Sequence, residues 1–398
     1  MGIIGCGSFA TTNLRTIEEL QSGGFLELVA VCDLAEEKAR FLGEKCHVPY
    51  FTSVEKMLEK EMDFVYIATS DYDHHITAKL AAEHGKSVLV EKPFAMSLPC
   101  CDIIINACRR ADVHFEVAEN YWGSDTEMTA QKIISQGTIG EVIRTYAIDP
   151  NPSAGRAAFA GHSGAFRLHD MGSHRMSEIR RFAGSDPKRV VAKTRICMPE
   201  ERFDDWGHAV VEFQNGVIGI CEVGVACAGK INYREIVGRK GTITMWGLYR
   251  TGPIQLTLRA EDNVVRDRRG LPRLRDIDVP VEYFYRFGEA EETLYVDKVV
   301  VRTDPPIIHE NPYSGIVSTQ TGDGFAACVM SIIDACVNNK LPVYGIQGRK
   351  DIEMCVAMYE SSRRGMSPIT LPIEELTSWE KELHELYNKN FGKYPTDV

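Results

Sequence analysis

The chain has 398 residues, 44% of them hydrophobic and 25% charged, and its formal net charge is −11. That length suits two domains, and the acidic balance disfavours nucleic acid and anionic membrane as partners. The longest apolar helical stretch, 325–337, is shorter than the roughly 20 residues that span a bilayer. Twelve scattered cysteines with no CxxC pair indicate reduced thiols, so we expect a cytoplasmic protein with no secretory signal and no metal site.

Over the first 120 residues, short apolar runs alternate with helical patterns. Strands are predicted at 2–5, 26–32, 64–68, 87–90 and 114–117, and helices at 12–21, 36–44, 75–84 and 101–110. Such alternation requires a parallel sheet with helices on both faces. We therefore predict an α/β fold whose residues 1–120 form a doubly wound Rossmann domain.

After residue 137, strand-like runs follow one another, and Asn215-Gly216 marks a hairpin between two of them. Strands are predicted at 142–148, 190–196, 209–213, 217–225, 233–238, 242–246, 279–285 and 293–301, and helices at 324–338 and 349–363. We assign residues 121–398 to a second, α+β domain. A basic cluster within it is interpreted as a solvated loop, with phosphate binding as the alternative: Arg266, Arg268, Arg269, Arg273 and Arg275.

The first strand ends in a GxGxxA turn that opens a helix. Gly5 permits the tight turn, Gly7 lets the backbone approach a pyrophosphate, and Ala10 allows close packing of helix on strand. With Ser8 and Phe9 in the first turn, the helix N-terminus faces the phosphates. This pattern in this context predicts a dinucleotide site.

Asp33 ends the second strand, 23 residues after Ala10. A carboxylate there can accept hydrogen bonds from the ribose hydroxyls and would repel a 2′-phosphate, and no adjacent basic residue would hold that phosphate. NAD is therefore favoured over NADP. The alternative is that Asp33 only caps the following helix.

Further candidates follow the next strands, whose carboxyl ends line the cofactor cleft of such a sheet. Thr69, Asp71 and His74 are equally well explained as turn and cap residues. Glu91 and Lys92 leave the strand at 87–90. The lysine ammonium there could stabilise negative charge on a substrate oxygen during hydride transfer, unless the two form a surface ion pair.

The segment HDMGSH at 169–174 opens a predicted helix that ends near Gly184. Asp170 and His174 are four residues apart and so face the same way. A histidine beside a carboxylate is a candidate general base. A helix cap and a surface histidine are the alternative explanation.

Together these motifs resemble the glucose–fructose oxidoreductase/inositol dehydrogenase (Gfo/Idh/MocA) family along nearly the whole chain. The resemblance rests on GIIGCGSFA, VAVCD, IATSDYDHH, VLVEKP, GTIGEV, HDMGSH, PVYG, MYESS and LPIE, in that order. It implies a second domain with a large, mostly antiparallel sheet used in oligomerisation, and a homo-oligomer, dimer or tetramer. It also assigns Lys92, Asp170 and His174 to the substrate hydroxyl and suggests a cis bond before Pro93.

Two features depart from the family. Its T-P-N turn reads Thr69-Ser70-Asp71 here, and the stretch 250–311 is long enough to add a loop over the site or an interface arm. Pocket candidates taken from their proximity to the motifs are Asn120 (also a cofactor candidate), Tyr121, Trp122, Arg156, Arg167, His169 and Trp206.

The sequence thus predicts an NAD-dependent oxidoreductase that moves a hydride between a secondary hydroxyl of a sugar, polyol or glycoside and the nicotinamide. His174 would take the hydroxyl proton, Lys92 would polarise the oxygen, and Asp170 would orient His174 or a neighbouring hydroxyl. Two alternatives stay open. One is an enzyme that retains NAD and couples oxidation to elimination or hydrolysis, and the other is a non-catalytic sugar or NAD sensor.

Overall fold

A computed structural model of the chain contains two large sheets and one small sheet. It describes residues 1–150, 166–197, 204–224, 229, 231–247, 254–266, 268–287, 294–318 and 322–398. Within these ranges no helix is both long and apolar enough to cross a membrane, and no three His, Cys, Asp or Glu side chains are grouped to hold a metal ion.

The first sheet is parallel throughout, with strand order β3-β2-β1-β4-β5-β6. Its strands are β1 (Gly2–Ile4), β2 (Ala30–Cys32), β3 (Tyr50–Phe51), β4 (Phe64–Ile67), β5 (Ser87–Glu91) and β6 (Phe115–Ala118). The helices between them are α1 (Ser8–Ser22), α2 (Glu36–Cys46), α3 (Val54–Leu58), α4 (His74–Glu83) and α5 (Leu98–Ala111). Ile4 and Ile67 pack in one core with α4 and α5, whereas Ile3 and Tyr66 pack in another with α1. The predicted doubly wound fold is confirmed.

Two details of the parallel-sheet region differ from the prediction. Only the last three residues of the apolar run 26–32 form a strand, which pairs with the three residues of β1. The short elements β3 and α3 were not predicted. Each is too brief to show a hydrophobic period.

The second large sheet has nine strands in the order β14-β13-β12-β11-β7-β10-β9-β8-β18. They are β7 (Val142–Pro150), β8 (Pro187–Arg195), β9 (Trp206–Phe213), β10 (Ile218–Gly224), β11 (Tyr233–Gly238), β12 (Gly241–Trp246), β13 (Ile254–Arg266), β14 (Pro272–Val279) and β18 (Ile369–Thr370). Among the described strands of this sheet, only β7 and β10 pair in parallel, so the sheet is mostly antiparallel as expected. Its inner face packs on α7 (Phe166–Ala183) and α9 (Gln347–Arg363).

The long stretch 250–311 consists mainly of strands. Two of them, β13 and β14, extend the nine-stranded sheet, and three form a small antiparallel sheet of β15 (Val281–Phe287), β16 (Leu294–Val301) and β17 (Ile307–Glu310). The small sheet packs through Val301 and Ile307 on α6 (Asp125–Ser135). The basic cluster therefore lies at the tip and edge of a β-hairpin, which corrects the predicted loop. Arg266 is exposed there, as expected.

Two helices from the C-terminal half return to the parallel sheet. In α8 (Asp323–Asn338), Phe325 and Val329 join the core beside α1, and Phe325 lies 5.1 Å from the Tyr66 ring, centroid to centroid. In α10 (Ser378–Phe391), His384 Nε2 lies 2.8 Å from Ser97 Oγ at the start of α5. The division at residue 120 stays a prediction.

Candidate active site

The glycine-rich turn connects β1 to α1. Gly5 has φ +93°, and a Cβ there would lie 2.6 Å from the carbonyl carbon and oxygen of Ala68. Gly7 caps α1, and a Cβ on it would meet no heavy atom within 4 Å. Ser8 and Phe9 are exposed, while Ala10 is fully buried against the sheet. The open side of Gly7 and the free N–H groups of α1 fit a pyrophosphate.

Asp33 lies beside this turn. Its Oδ2 accepts a hydrogen bond from Cys6 N at 2.8 Å, and its Oδ1 accepts one from Ala35 N at 2.8 Å. The N-cap of α2 is Ala35, so the alternative that Asp33 caps that helix is wrong. These two hydrogen bonds fix the side chain in place. Each carboxylate oxygen keeps a second lone pair, with which it can accept a hydrogen bond from a ribose hydroxyl.

The turn after β4 carries three of the predicted residues. Thr69 is half-buried, and its backbone nitrogen lies beside Gly5. Asp71 is half-buried as well, and burial, followed by the nearby charge of Asp170, raises its pKa to about 6. His74 is buried, with Nδ1 3.1 Å from Pro93 O, and burial lowers its pKa to about 4. His74 is therefore neutral and ties this turn to the next one.

Glu91 is buried beneath the site. Its Oε1 accepts from Tyr66 Oη at 2.5 Å and from Asn13 Nδ2 at 3.1 Å, and its Oε2 accepts from the Lys92 amide at 3.1 Å. Burial raises the pKa of Glu91 to about 7. The side chain thus links α1, β4 and the end of β5, which fixes the backbone from which Lys92 projects. The Lys92–Pro93 bond is cis.

Lys92 and Asp170 form a buried ion pair between Nζ and Oδ1, with side chains 9% and 8% exposed. The lysine nitrogen also lies 5.1 Å from the centroid of the Phe9 ring, so the glycine-rich turn and the ion pair meet. Asp170 raises the pKa of Lys92 against the opposing effect of burial, so the ammonium stays charged. The structure therefore joins two predicted residues that are 78 positions apart.

His174 lies one turn after Asp170 on α7 and is buried. Its Nδ1 is 2.6 Å from Glu119 Oε1, and its ring centroid is 4.2 Å from that of Tyr121. Burial, then the positive charge of Lys92, lowers the pKa of His174 well below its ordinary value, so the imidazole is neutral at pH 7. Sequence reasoning missed Glu119, although it directly follows β6 at the carboxyl edge of the sheet.

The orienting role of Asp170 stays a prediction; in the structure this carboxylate pairs with Lys92, and Glu119 faces the imidazole. Among the pocket candidates, Tyr121 lies in the site and Asn120 is half-buried next to it. His169 is buried, with Nε2 2.9 Å from Ala95 O, and Trp206 lies on the far side of the large sheet. Arg156 and the side chain of Arg167 lie outside the described residues.

Known proteins share both halves of this architecture. The profile described as "Oxidoreductase family, NAD-binding Rossmann fold" (GFO_IDH_MocA) matches residues 1–119, and the "GFO/IDH/MocA C-terminal domain" matches residues 128–244. D-apiose dehydrogenase of Rhizobium rhizogenes is 26% identical over 278 residues, covering 64% of this chain and 76% of that one. 2,7-anhydro-N-acetylneuraminate hydratase of Mediterraneibacter gnavus is 26% identical over 251 residues, covering 61% and 65%.

The same architecture occurs in solved structures. An Agrobacterium radiobacter oxidoreductase crystallised with NAD+, L-tartaric acid and magnesium superposes with a TM-score of 0.70 at 19% identity, covering 93% of this chain and 97% of that one. The Rossmann sheet, the large mostly antiparallel sheet and the matched profiles define an NAD-binding oxidoreductase. The chain belongs to the Gfo/Idh/MocA family.

Proposed function

We propose that this enzyme is an NAD-dependent dehydrogenase that oxidises a secondary hydroxyl of a sugar, polyol or glycoside. The observation that carries the proposal is a charged Lys92 beside the glycine-rich turn, with a neutral His174 near enough for the lysine charge to lower its pKa. Lys92 is held by Asp170, and His174 is held by Glu119. Oxidation of an alcohol requires a cation that polarises the hydroxyl oxygen and a base that takes the hydroxyl proton.

In this mechanism the Lys92 ammonium donates a hydrogen bond to the substrate oxygen, and His174 accepts the hydroxyl proton. When bound, NAD supplies the hydride acceptor. Asp170 keeps Lys92 charged and directed at the same oxygen. Burial of both side chains excludes water from the proton-transfer path, which strengthens their effect on the developing charge.

We infer that the cofactor lies along the turns at the carboxyl edge of the parallel sheet. Gly7, Ser8 and Phe9 would hold the pyrophosphate with α1, and Asp33 would accept from the adenosine ribose. Thr69, Asp71 and Asn120 would border the nicotinamide half. Gly5, Ala10, His74 and Glu91 would support these turns from behind.

The sugar or polyol class is supported by the D-apiose dehydrogenase relative. The direct test is NADH formation, followed at 340 nm, across a panel of aldoses, inositols, alditols and glycosides with the purified chain. We expect activity with at least one neutral polyhydroxylated compound and none with simple secondary alcohols. Activity only with simple alcohols would contradict the proposal.

A second candidate function is supported by the hydratase among the relatives. In it the enzyme would retain NAD and use oxidation at one carbon to permit elimination or hydrolysis, followed by reduction. Product analysis without added NAD separates the two. Product formed over many turnovers without net NADH favours this candidate, and a strict need for stoichiometric NAD favours the dehydrogenase.

We propose that the protein assembles as a dimer or tetramer through the outer face of the nine-stranded sheet. On that face the Tyr233 ring lies 4.3 Å from the Trp246 ring, centroid to centroid, and Val210 is 46% exposed. Apolar side chains spread over one sheet face are costly to leave in water.

We also propose a cytoplasmic location, since the eleven cysteines in the described part of the chain are all free thiols.

A further inference from the structure

Each of the two proposed catalytic side chains contacts a buried carboxylate. Asp170 pairs with Lys92, whereas Glu119 Oε1 lies 2.6 Å from His174 Nδ1. The Glu119 and His174 side chains are only 3% and 5% exposed. Glu119 comes from the end of β6 and His174 from α7, so the contact joins the parallel sheet to the helix under the second sheet.

The Glu119 carboxylate is itself fixed in position. Its Oε1 also accepts a hydrogen bond from the Tyr121 amide at 3.3 Å, and the Tyr121 ring packs on the imidazole. A neutral imidazole carries one proton, and the partner of one ring nitrogen decides where that proton resides. A carboxylate facing Nδ1 places the proton on Nδ1 and leaves Nε2 with a free lone pair.

We propose that Glu119 is a positioning residue that fixes His174 as the Nδ1–H tautomer, so that Nε2 is the acceptor of the substrate proton. This inference rests on the proposed dehydrogenase function. In the step, the O–H bond breaks and its proton goes to Nε2. The O–H electron pair forms the carbonyl bond as the C–H pair leaves as hydride, so the substrate carbon is oxidised and NAD is reduced.

Charged neighbours set the pH at which this arrangement works. The charged groups that face His174 are Lys92, Arg175, Asp170 and Glu178. Those that face Glu119 are Arg181, Lys92, Glu178 and the buried Glu91. Burial raises the pKa of Glu119 to about 7, against the opposing charges of Arg181 and Lys92. As the pH falls through this value, a protonated Glu119 donates to Nδ1, the imidazole proton moves to Nε2, and the acceptor is lost.

The test compares Glu119→Leu, which removes the acceptor, with Glu119→Gln, which keeps an oxygen but cannot ionise. The first readout is the 15N-histidine NMR spectrum of the chain without substrate, with His174 assigned by His174→Gln. At a pH well above the pKa of Glu119, where its carboxylate is ionised, we expect an Nδ1–H signal for His174 in the unmodified chain, its loss in Glu119→Leu, and its retention in Glu119→Gln. This spectrum does not depend on any substrate being turned over.

The second readout is the pH profile of kcat with a substrate found by the panel. Glu119→Leu should lower kcat by at least about tenfold with little change in KM, since the wrong tautomer cannot accept the proton. Glu119→Gln should recover part of that loss and lack the fall in activity near pH 7. The matched control is Glu116→Gln, a buried carboxylate on β6 that accepts from Tyr344 and Gly345. It should leave the signal and the profile unchanged.

An Nε2–H tautomer of His174 in the unmodified chain at that pH, or a Glu119→Leu enzyme whose kcat is within twofold of the unmodified value, would overturn the inference. So would persistence of the fall near pH 7 in Glu119→Gln. Failure of the proposed function would look different. The unmodified chain would then oxidise no member of the panel, whatever tautomer the spectrum shows.

Discussion

Replacing Gly5 by alanine should unfold the glycine-rich turn rather than only weaken cofactor binding. The residue has φ +93°, where an L-residue is strained by about 1–2 kcal/mol. The new methyl would also stand 2.6 Å from the Ala68 carbonyl group, part of the backbone of the neighbouring strand connection. Such overpacking typically costs about 1–3 kcal/mol. We therefore expect Gly5→Ala to lower the free energy of unfolding by about 2–5 kcal/mol.

Gly7 provides the matched control, because it is two residues away and has a different constraint. Its φ is −82°, and a Cβ would meet nothing within 4 Å. Gly7→Ala should change the free energy of unfolding by no more than about 0.5 kcal/mol. The methyl would instead occupy the space that we assign to the pyrophosphate, so NAD binding should weaken by about tenfold or more, roughly 1.4 kcal/mol.

Urea unfolding and calorimetric titration with NAD measure the two quantities on the same samples. A Gly5→Ala protein as stable as the unmodified chain would refute the steric reasoning about the turn. A Gly7→Ala protein that binds NAD with unchanged affinity would place the pyrophosphate elsewhere.

Three further predictions follow from single contacts. Asp33→Ala should weaken NAD binding and narrow the preference for NAD over NADP, and an unmodified chain that prefers NADP would contradict this role. Burial lowers the pKa of His75 to about 4 while the unfolded chain protonates near 6.5, so its contribution to stability is lost as the pH falls through that window. The unmodified chain should lose free energy of unfolding between pH 7 and 4.5. In His75→Gln, whose side chain can still donate to Pro395 O, that loss should be smaller by roughly 2 kcal/mol in urea unfolding. A variant with the same pH dependence as the unmodified chain would refute this role of His75. Sedimentation at micromolar concentration should show a dimer or tetramer that Trp246→Arg shifts toward monomer, and a monomeric unmodified chain would exclude the proposed interface.

The parallel sheet was predictable because its strands are buried on both faces and its turns carry glycine at fixed positions. Gly5 and Asp33 could be placed from spacing alone, since the turn geometry of this fold leaves few positions for them. The start of α6 was predictable from the sequence but was missed. Ser124 caps α6 by accepting from Glu127 N, a Ser-x-x-Glu signal that was present in the sequence and not used.

Contacts between distant segments could not be read from spacing. Asp170 and His174 are one turn apart, which suggested that they act on each other, yet Lys92 and Glu119 come from the parallel sheet to meet them. The hairpin of β13 and β14 was hidden for another reason. At the sheet edge β14 bears charged residues such as Asp276 and Asp278, which protect an edge strand and resemble a loop in composition.

The most direct test of the proposed chemistry is the turnover of Lys92→Met and His174→Gln with a substrate from the panel, measured beside NAD affinity and unfolding of the same proteins. Each variant should lose about a hundredfold or more in kcat while NAD binds within a few-fold of the unmodified chain, because neither side chain is assigned to the adenosine or pyrophosphate half. If both variants bind NAD and oxidise the substrate at near the unmodified rate, the reaction takes place without Lys92 and His174.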